Sequence, residues 1–248
     1  MRRPALLIAA GAAAFIVFLV AFLPASVLLR FLPAEVSLSG VRGTVWRGEA
    51  EELAVSGQPI GSLRWSNRPW RLLALQLDYA VRYLPAGGDV DMDVTLRGPH
   101  RIDIAKAHGT LQIMALDGLL GPPGWKATAE LEVEHLSLVD GFPESALGTL
   151  VLRELTAPGE RGVNIGSFEL TLGEGAVGGD SIVGRLRDLG GGPMQVRATL
   201  ELKPDRSYLL SGDVAAGPEA GATIQRTLRF LGPEDSLGRR PFTVEGTL

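Results

Sequence analysis

The sequence predicts an all-β fold: a single N-terminal transmembrane helix followed by an antiparallel, amphipathic β-sheet domain with one late short helix. Three observations lead there. An unbroken apolar run opens the chain, short segments with a two-residue hydrophobic period fill the rest, and glycines punctuate them.

The run Ala5 to Leu23 holds 19 residues without a charge, behind Arg2 and Arg3 and ahead of Pro24. At about 1.5 Å per residue a helix of that length reaches roughly 28 Å, close to the ~30 Å hydrocarbon core of a bilayer. A cleaved secretory signal is the competing reading. Its apolar region is shorter, about 7 to 15 residues, and ends in a small-x-small site. Pro24-Ala25-Ser26 offers small residues without a clean A-x-A. An uncleaved anchor is therefore expected, with Arg2 and Arg3 left on the cytoplasmic side and the remainder exported. The expected organisation is a cytoplasmic stub at 1–4, a membrane anchor at 5–23, an interfacial linker at 24–33 around Arg30, and an exported β-domain at 34–248.

Roughly 215 residues follow the anchor, enough for one all-β domain or two small ones with a buried core. Charge is nearly balanced, 24 basic against 28 acidic residues, so whole-chain charge implies neither nucleic acid nor an anionic lipid surface as a partner. With no cysteine, disulfides, thiolate metal sites and cysteine nucleophiles are excluded, though the compartment is left open.

In Asp89-Val90-Asp91-Met92-Asp93-Val94-Thr95-Leu96-Arg97 every even position is apolar and every odd one polar. Only an extended strand puts each set on its own face. Met194 to Lys203 repeats the pattern. Further strands are expected at Gln76 to Tyr83, Ile102 to Ile113, Ala129 to Leu138, Leu150 to Leu155, Asn164 to Leu172, Ser207 to Val214 and Phe242 to Leu248. Alternation slips around His135, where Leu131 and Val133 give way to Leu136 and Leu138, so a β-bulge is expected there. One covered face and one wet face is the habit of antiparallel sheets. Helical periods are confined to a short candidate at Met114 to Leu120 and a better one from Ala220 to Leu231, closed by Gly232-Pro233.

A weak echo runs through the chain. Gly-Thr opens strand-like segments at Gly43, Gly109, Gly148 and Gly246, and Gly-Ser does so at Gly61 and Gly166. The expectation is that each glycine ends a turn. The alternative is a stack of similar hairpins forming one long curved sheet.

Catalytic and cofactor signals are weak. His100, His108 and His135 lack metal-ligand spacing and read as solvated or turn residues. Asp89, Asp91 and Asp93 share one strand face, but calcium usually needs six or more oxygens from a glycine-containing loop, so a solvated face is expected. Gly173-Glu174-Gly175-Ala176-Val177-Gly178 matches G-x-G-x-x-G, yet the strand-like Ile182 to Leu186 follows where a dinucleotide site needs a helix. A glycine-rich hairpin turn is the reading. No nucleophile elbow or Walker lysine loop occurs. The expectation is a non-enzyme with no cofactor and no resident metal.

The most distinctive residues follow the anchor: Leu38-Ser39-Gly40-Val41-Arg42-Gly43-Thr44-Val45-Trp46-Arg47-Gly48, then Leu63-Arg64-Trp65-Ser66-Asn67-Arg68-Pro69-Trp70. Three of the four tryptophans fall here, each near an arginine. Trp46 and Trp65 are expected to cap a core in adjacent strands, and Trp70 to lie at an interface or turn. Tryptophan and arginine also dominate interaction hot spots, so an assembly surface stays open. This block resembles the type II secretion system protein N family, as does the close of the chain, Leu228-Arg229-Phe230-Leu231-Gly232-Pro233 and Gly238 to Leu248. The specific motifs occupy roughly the first 75 and last 20 residues.

The resemblance implies an accessory inner-membrane subunit of the machine that moves folded proteins from the periplasm across the outer membrane. It implies a single-pass topology with a periplasmic β-domain. Partners would be other secretion subunits, on the inner-membrane platform or the outer-membrane secretin side. The family is not known for catalysis, so Gly40, Gly43, Trp46, Gly48, Trp65, Pro69 and Trp70 are expected to be structural or contact residues. A second resemblance, to the AsmA-like lipid transporters, rests on the single anchor and the long amphipathic sheet, and implies lipid binding on the apolar face.

Overall fold

The computed structural model describes residues 3–32, 36–68, 77–85, 87–98, 100–113, 124–159, 162–173 and 181–247. Helix α1 (Arg3–Ala21) leads into a 3-10 segment, Ala25–Phe31. Then come β1 (Val36–Ser39), β2 (Arg42–Gly43), β3 (Arg47–Val55), β4 (Gln58–Asn67), β5 (Leu77–Pro85), β6 (Asp89–Leu96), β7 (Arg101–Gln112), β8 (Lys126–Val139), β9 (Phe142–Ala157) and β10 (Val163–Leu172). The chain continues through β11 (Ile182–Asp188), β12 (Met194–Leu202), β13 (Ser207–Ala216), α2 (Ala222–Leu228), a 3-10 turn at Arg229–Leu231, and β14 (Arg240–Thr247).

Among the described residues the fourteen strands form one antiparallel sheet. From β3 onward each strand pairs with the next in sequence, while β1 and β2 lie one after the other along the outer edge of β3. The tightest reversals carry the residues such turns require. Ser56-Gly57 joins β3 to β4 and Asp140-Gly141 joins β8 to β9, each with positive φ at both central positions.

The expected faces are present. Apolar residues line up across β8 to β12, with Leu131 opposite Leu150, Leu150 opposite Leu170, Leu170 opposite Leu186, and Leu186 opposite Ala198. Such same-face pairs are the unit of sheet stabilisation. Short helices cover this face at both ends. Ala25 and Leu28 pack on Ala50, Trp65 and Tyr79, and Ile224 and Leu228 of α2 pack on Phe168, Val196 and Val214. Between them Val90, Leu111 and Ala129 are buried against Tyr83, Leu131 and Leu152.

The slip expected at His135 is a register shift between Val133 and His135 in the β8–β9 pairing. A matching shift lies between Asp91 and Asp93 in the β6–β7 pairing, where Lys106 adopts φ 52°. Between β7 and β8 the pairing runs through undisturbed, Ala107 opposite Val133 and Ala105 opposite His135. The two strands thus exchange faces together, which keeps Ile102 and Ile104 with Leu136 and Leu138.

The glycine echo is corrected. Gly109 and Gly148 do not end turns but sit inside β7 and β9, at φ 154° and 157°. A Cβ on Gly109 would stand 2.1 Å from the Asp89 carbonyl oxygen, and one on Gly148 2.6 Å from that of Glu132. These glycines let neighbouring backbones close up, and the alternative of a continuous sheet of hairpins is what the chain forms. The Phe168 to Leu172 and Ile182 to Leu186 segments pair antiparallel, as a hairpin requires; Glu174 to Gly178 lies outside the described residues, as do Met114 to Leu120, Pro69 and Trp70. The late helix is present as α2 and its 3-10 extension. Among the described residues no helix is long and apolar enough to cross a membrane.

Candidate functional site: the helix-to-sheet junction

The family-like block folds into the joint between α1 and the sheet. Between β2 and β3 the backbone makes a tight reversal, in which the Thr44 N–H donates to the Arg47 carbonyl (2.8 Å) and the Arg47 N–H donates to Thr44 Oγ1 (3.2 Å). Gly43 holds φ 93°, and a Cβ there would meet the Arg47 carbonyl oxygen at 2.4 Å. The reversal turns two tryptophans to opposite tasks.

Trp65 faces the core. It is 6% exposed, in the cluster of Ala25, Ala50 and Tyr79. Its indole Nε1–H donates to the carbonyls of Thr44 (3.3 Å) and Val45 (3.1 Å), so the ring holds the reversal from beneath. The ring lies over Gly48 of β3, directly opposite Trp65 in the ladder; a Cβ at Gly48 would come within 2.6 Å of the ring. Burial pushes the Tyr79 hydroxyl above the ordinary tyrosine range, and that of Tyr83 on the same strand likewise.

Trp46 faces the helix. Its Nε1–H donates to the Val20 carbonyl at 2.7 Å. The last four carbonyls of a helix lack the usual partner four residues on; the Val20 oxygen takes the Leu23 N–H at 3.3 Å instead, and the indole is its second and shorter donor. The Val45 N–H adds a second tie to the Leu23 carbonyl (2.9 Å), and Pro24 bridges to Thr44. Trp46 is half-buried, so it is a clamp on α1 more than the core cap expected for it. Gly40, at φ 64°, separates β1 from β2, and a Cβ there would strike the Glu51 side chain at 2.7 Å.

Gly40, Gly43, Trp46, Gly48 and Trp65 therefore meet in one place. What the sequence did not disclose is the other half of the joint, Val20 and Leu23. Their part is played by backbone carbonyls, which leave no side-chain signature.

The other singled-out groups lie elsewhere. Asp89 and Asp91 pair with Arg82 (2.9 and 3.7 Å), and Asp93 takes a bidentate contact from Arg68 (3.1 and 2.7 Å). His100 sits against Asp140 at 2.7 Å, and His108 Nδ1 against the Lys106 carbonyl oxygen at 3.0 Å. Among the described residues no group of three or more His, Asp or Glu could hold a metal ion.

An apolar helix clamped to a single-layer antiparallel meander defines an all-β module with a helical lead. A family model for type II secretion system (T2SS) protein N matches residues 34–243, and the chain belongs to that family. It is 27% identical to type II secretion system protein N of Aeromonas hydrophila over 265 aligned residues, covering 100% of both chains. It is 26% identical to type II secretion system protein N of Vibrio cholerae serotype O1 over 243 residues, covering 92% of each. No solved structure matches it.

Proposed function

We propose that this secretion-system subunit is a non-catalytic, single-pass inner-membrane protein whose periplasmic β-domain contacts other secretion components during export of folded proteins. In this reading residues 1–4 are cytoplasmic, 5–23 cross the membrane, 24–33 lie at the interface and 34–248 are periplasmic. Family membership supports the secretion role. The exposed surface of α1 supports the tether: Phe15, Ile16, Val17, Phe18 and Leu19 are each 51–67% exposed, so the helix is apolar on every side. A helix of that kind needs an apolar surrounding. The bonds from Trp46 and Val45 then fix the first strands of the sheet at the exit of the tether. Pro69 and Trp70 are structural or contact residues of the same sequence motif in this proposal.

Tagged full-length chain, extracted from membranes in mild detergent, should bring secretion-system subunits with it. Recovery without any of them, together with normal exoprotein release from a deletion strain lacking a paralogue, would overturn the role. Topology has its own test, helped by the absence of native cysteine. A Ser56→Cys chain in intact spheroplasts should react with a membrane-impermeant maleimide, and protection until lysis would reverse the orientation.

A further inference from the structure

The polar face of the sheet beside the junction is concave. Strands β2 to β7 line an open groove of about 730 Å³ there. Its floor is open because the two side chains at its centre are small: Ser66 stands between Arg47 and Ala80, and Ala80 between Ser66 and Asp93. Five cationic side chains line it, Arg42, Arg47, Arg64, Arg82 and Lys106, against three carboxylates, Glu49, Asp91 and Asp93.

Every one of those carboxylates is already engaged. Arg64 holds Glu49 (3.4 Å), Arg82 holds Asp91 (3.7 Å) and Arg68 holds Asp93 (2.7 Å), while Arg42 turns to Glu51 (2.7 Å). Arg47 and Lys106 have no carboxylate partner among the described residues. The groove therefore keeps surplus positive charge, although the whole chain is net acidic at −4. Crowded cations in a recess focus potential on whatever anion fits. Guanidinium groups match the geometry of phosphate oxygens bidentately.

We propose that this groove binds a phosphate-bearing anion, with Arg47 on one side and Lys106 on the other as its uncommitted cations. Arg47 directly follows Trp46, the residue bonded to the end of α1. Placing that phosphate in a lipid headgroup rests on the membrane tether proposed above. The site lies on the polar face, opposite the apolar face that a lipid-transfer reading would use.

The test uses the full chain, freed of lipid in a non-ionic detergent and titrated separately with inorganic phosphate and with short-chain phosphatidylglycerol. Isothermal titration calorimetry is the readout, since the Trp65 ring lies on the buried face of the sheet and would not report on the groove. Saturable binding of the lipid alone supports the site with a headgroup as its source, and binding of both supports it with free phosphate as sufficient. In either case R47Q/K106Q should weaken binding roughly tenfold or more, because both uncommitted cations of the groove are removed. R226Q, on the exposed side of α2, should leave binding unchanged. Raising salt should weaken the native interaction, which serves as a second readout if the double variant misfolds. No saturable binding of either ligand, equal affinity in the folded double variant, or salt-independent binding would overturn the proposal. Carbonate extraction of native membranes tests the tether by itself, and release of the chain there would remove the lipid assignment while leaving the phosphate site to the titration.

Discussion

Replacing Trp65 by alanine should unfold the junction end of the sheet. A buried tryptophan removes about 200 Å² from water, worth roughly 5 kcal/mol at ~25 cal/mol per Å². At 6% exposure nearly all of that applies here. Alanine recovers part of it and leaves a cavity between Gly48 and Ala25, so a loss of about 3–5 kcal/mol is expected. The indole N–H adds a separable contribution. Shared between the Thr44 and Val45 carbonyls at 3.3 and 3.1 Å, it should be worth ~1–2 kcal/mol, which Trp65→Phe isolates while keeping an aromatic ring over Gly48. Gly48→Ala attacks the same contact from the other strand, since its Cβ would lie 2.6 Å from the ring and 2.5 Å from the Arg42 carbonyl oxygen. Substitutions sharing one contact are not additive. Gly48→Ala should therefore cost less in a Trp65→Ala background than alone, though not nothing, because the Arg42 clash remains. Urea unfolding of the full chain in detergent, followed by far-ultraviolet circular dichroism, measures all four proteins. A Trp65→Ala loss below about 1 kcal/mol, or strict additivity with Gly48→Ala, would refute the keystone role of the ring.

Trp46→Phe should spare global stability yet loosen the helix joint, raising tryptic cleavage at Arg30 severalfold for the loss of a bond worth ~1 kcal/mol; an unchanged rate would count against the clamp. Gly109→Ala should destabilise by more than about 2 kcal/mol because its Cβ meets backbone at 2.1 Å. Gly141→Ala, with open space around its Cβ and only φ 77° to resist it, should cost about 1 kcal/mol by the same measurement. The hydrogen bond from Arg153 holds the Glu130 carboxyl below the ordinary glutamate range, so it favours the folded state above the unfolded-state pKa and fades as pH falls through the lowered folded value. Arg153→Gln should move the Glu130 midpoint, read by NMR titration, back up towards the ordinary value.

Strands with clean alternation are legible in the sequence alone. Asp89 to Arg97 and Met194 to Lys203 became β6 and β12 within a residue at their ends. In β3 and β4 the pattern is masked. Ala50 and Ala54 are the buried residues of one, Pro59 and Gly61 interrupt the other, and the pairing between them shifts register at Leu53. The glycine echo was visible but its meaning was not, because a glycine that ends a turn and one that admits a neighbouring backbone have the same local sequence. Only the partner strand tells them apart.

The amino-acid sequence by itself determined that this chain is an amphipathic antiparallel β-protein led by an apolar helix, since hydrophobic period and turn chemistry are local properties. It also marked five of the residues that build the junction. Tertiary structure decided how they act: which tryptophan enters the core, which reaches across 26 residues to the Val20 carbonyl, and which arginine is left without a carboxylate beside it. Those outcomes depend on cross-strand register and on backbone groups far away in sequence. No reading of neighbours along the chain contains them.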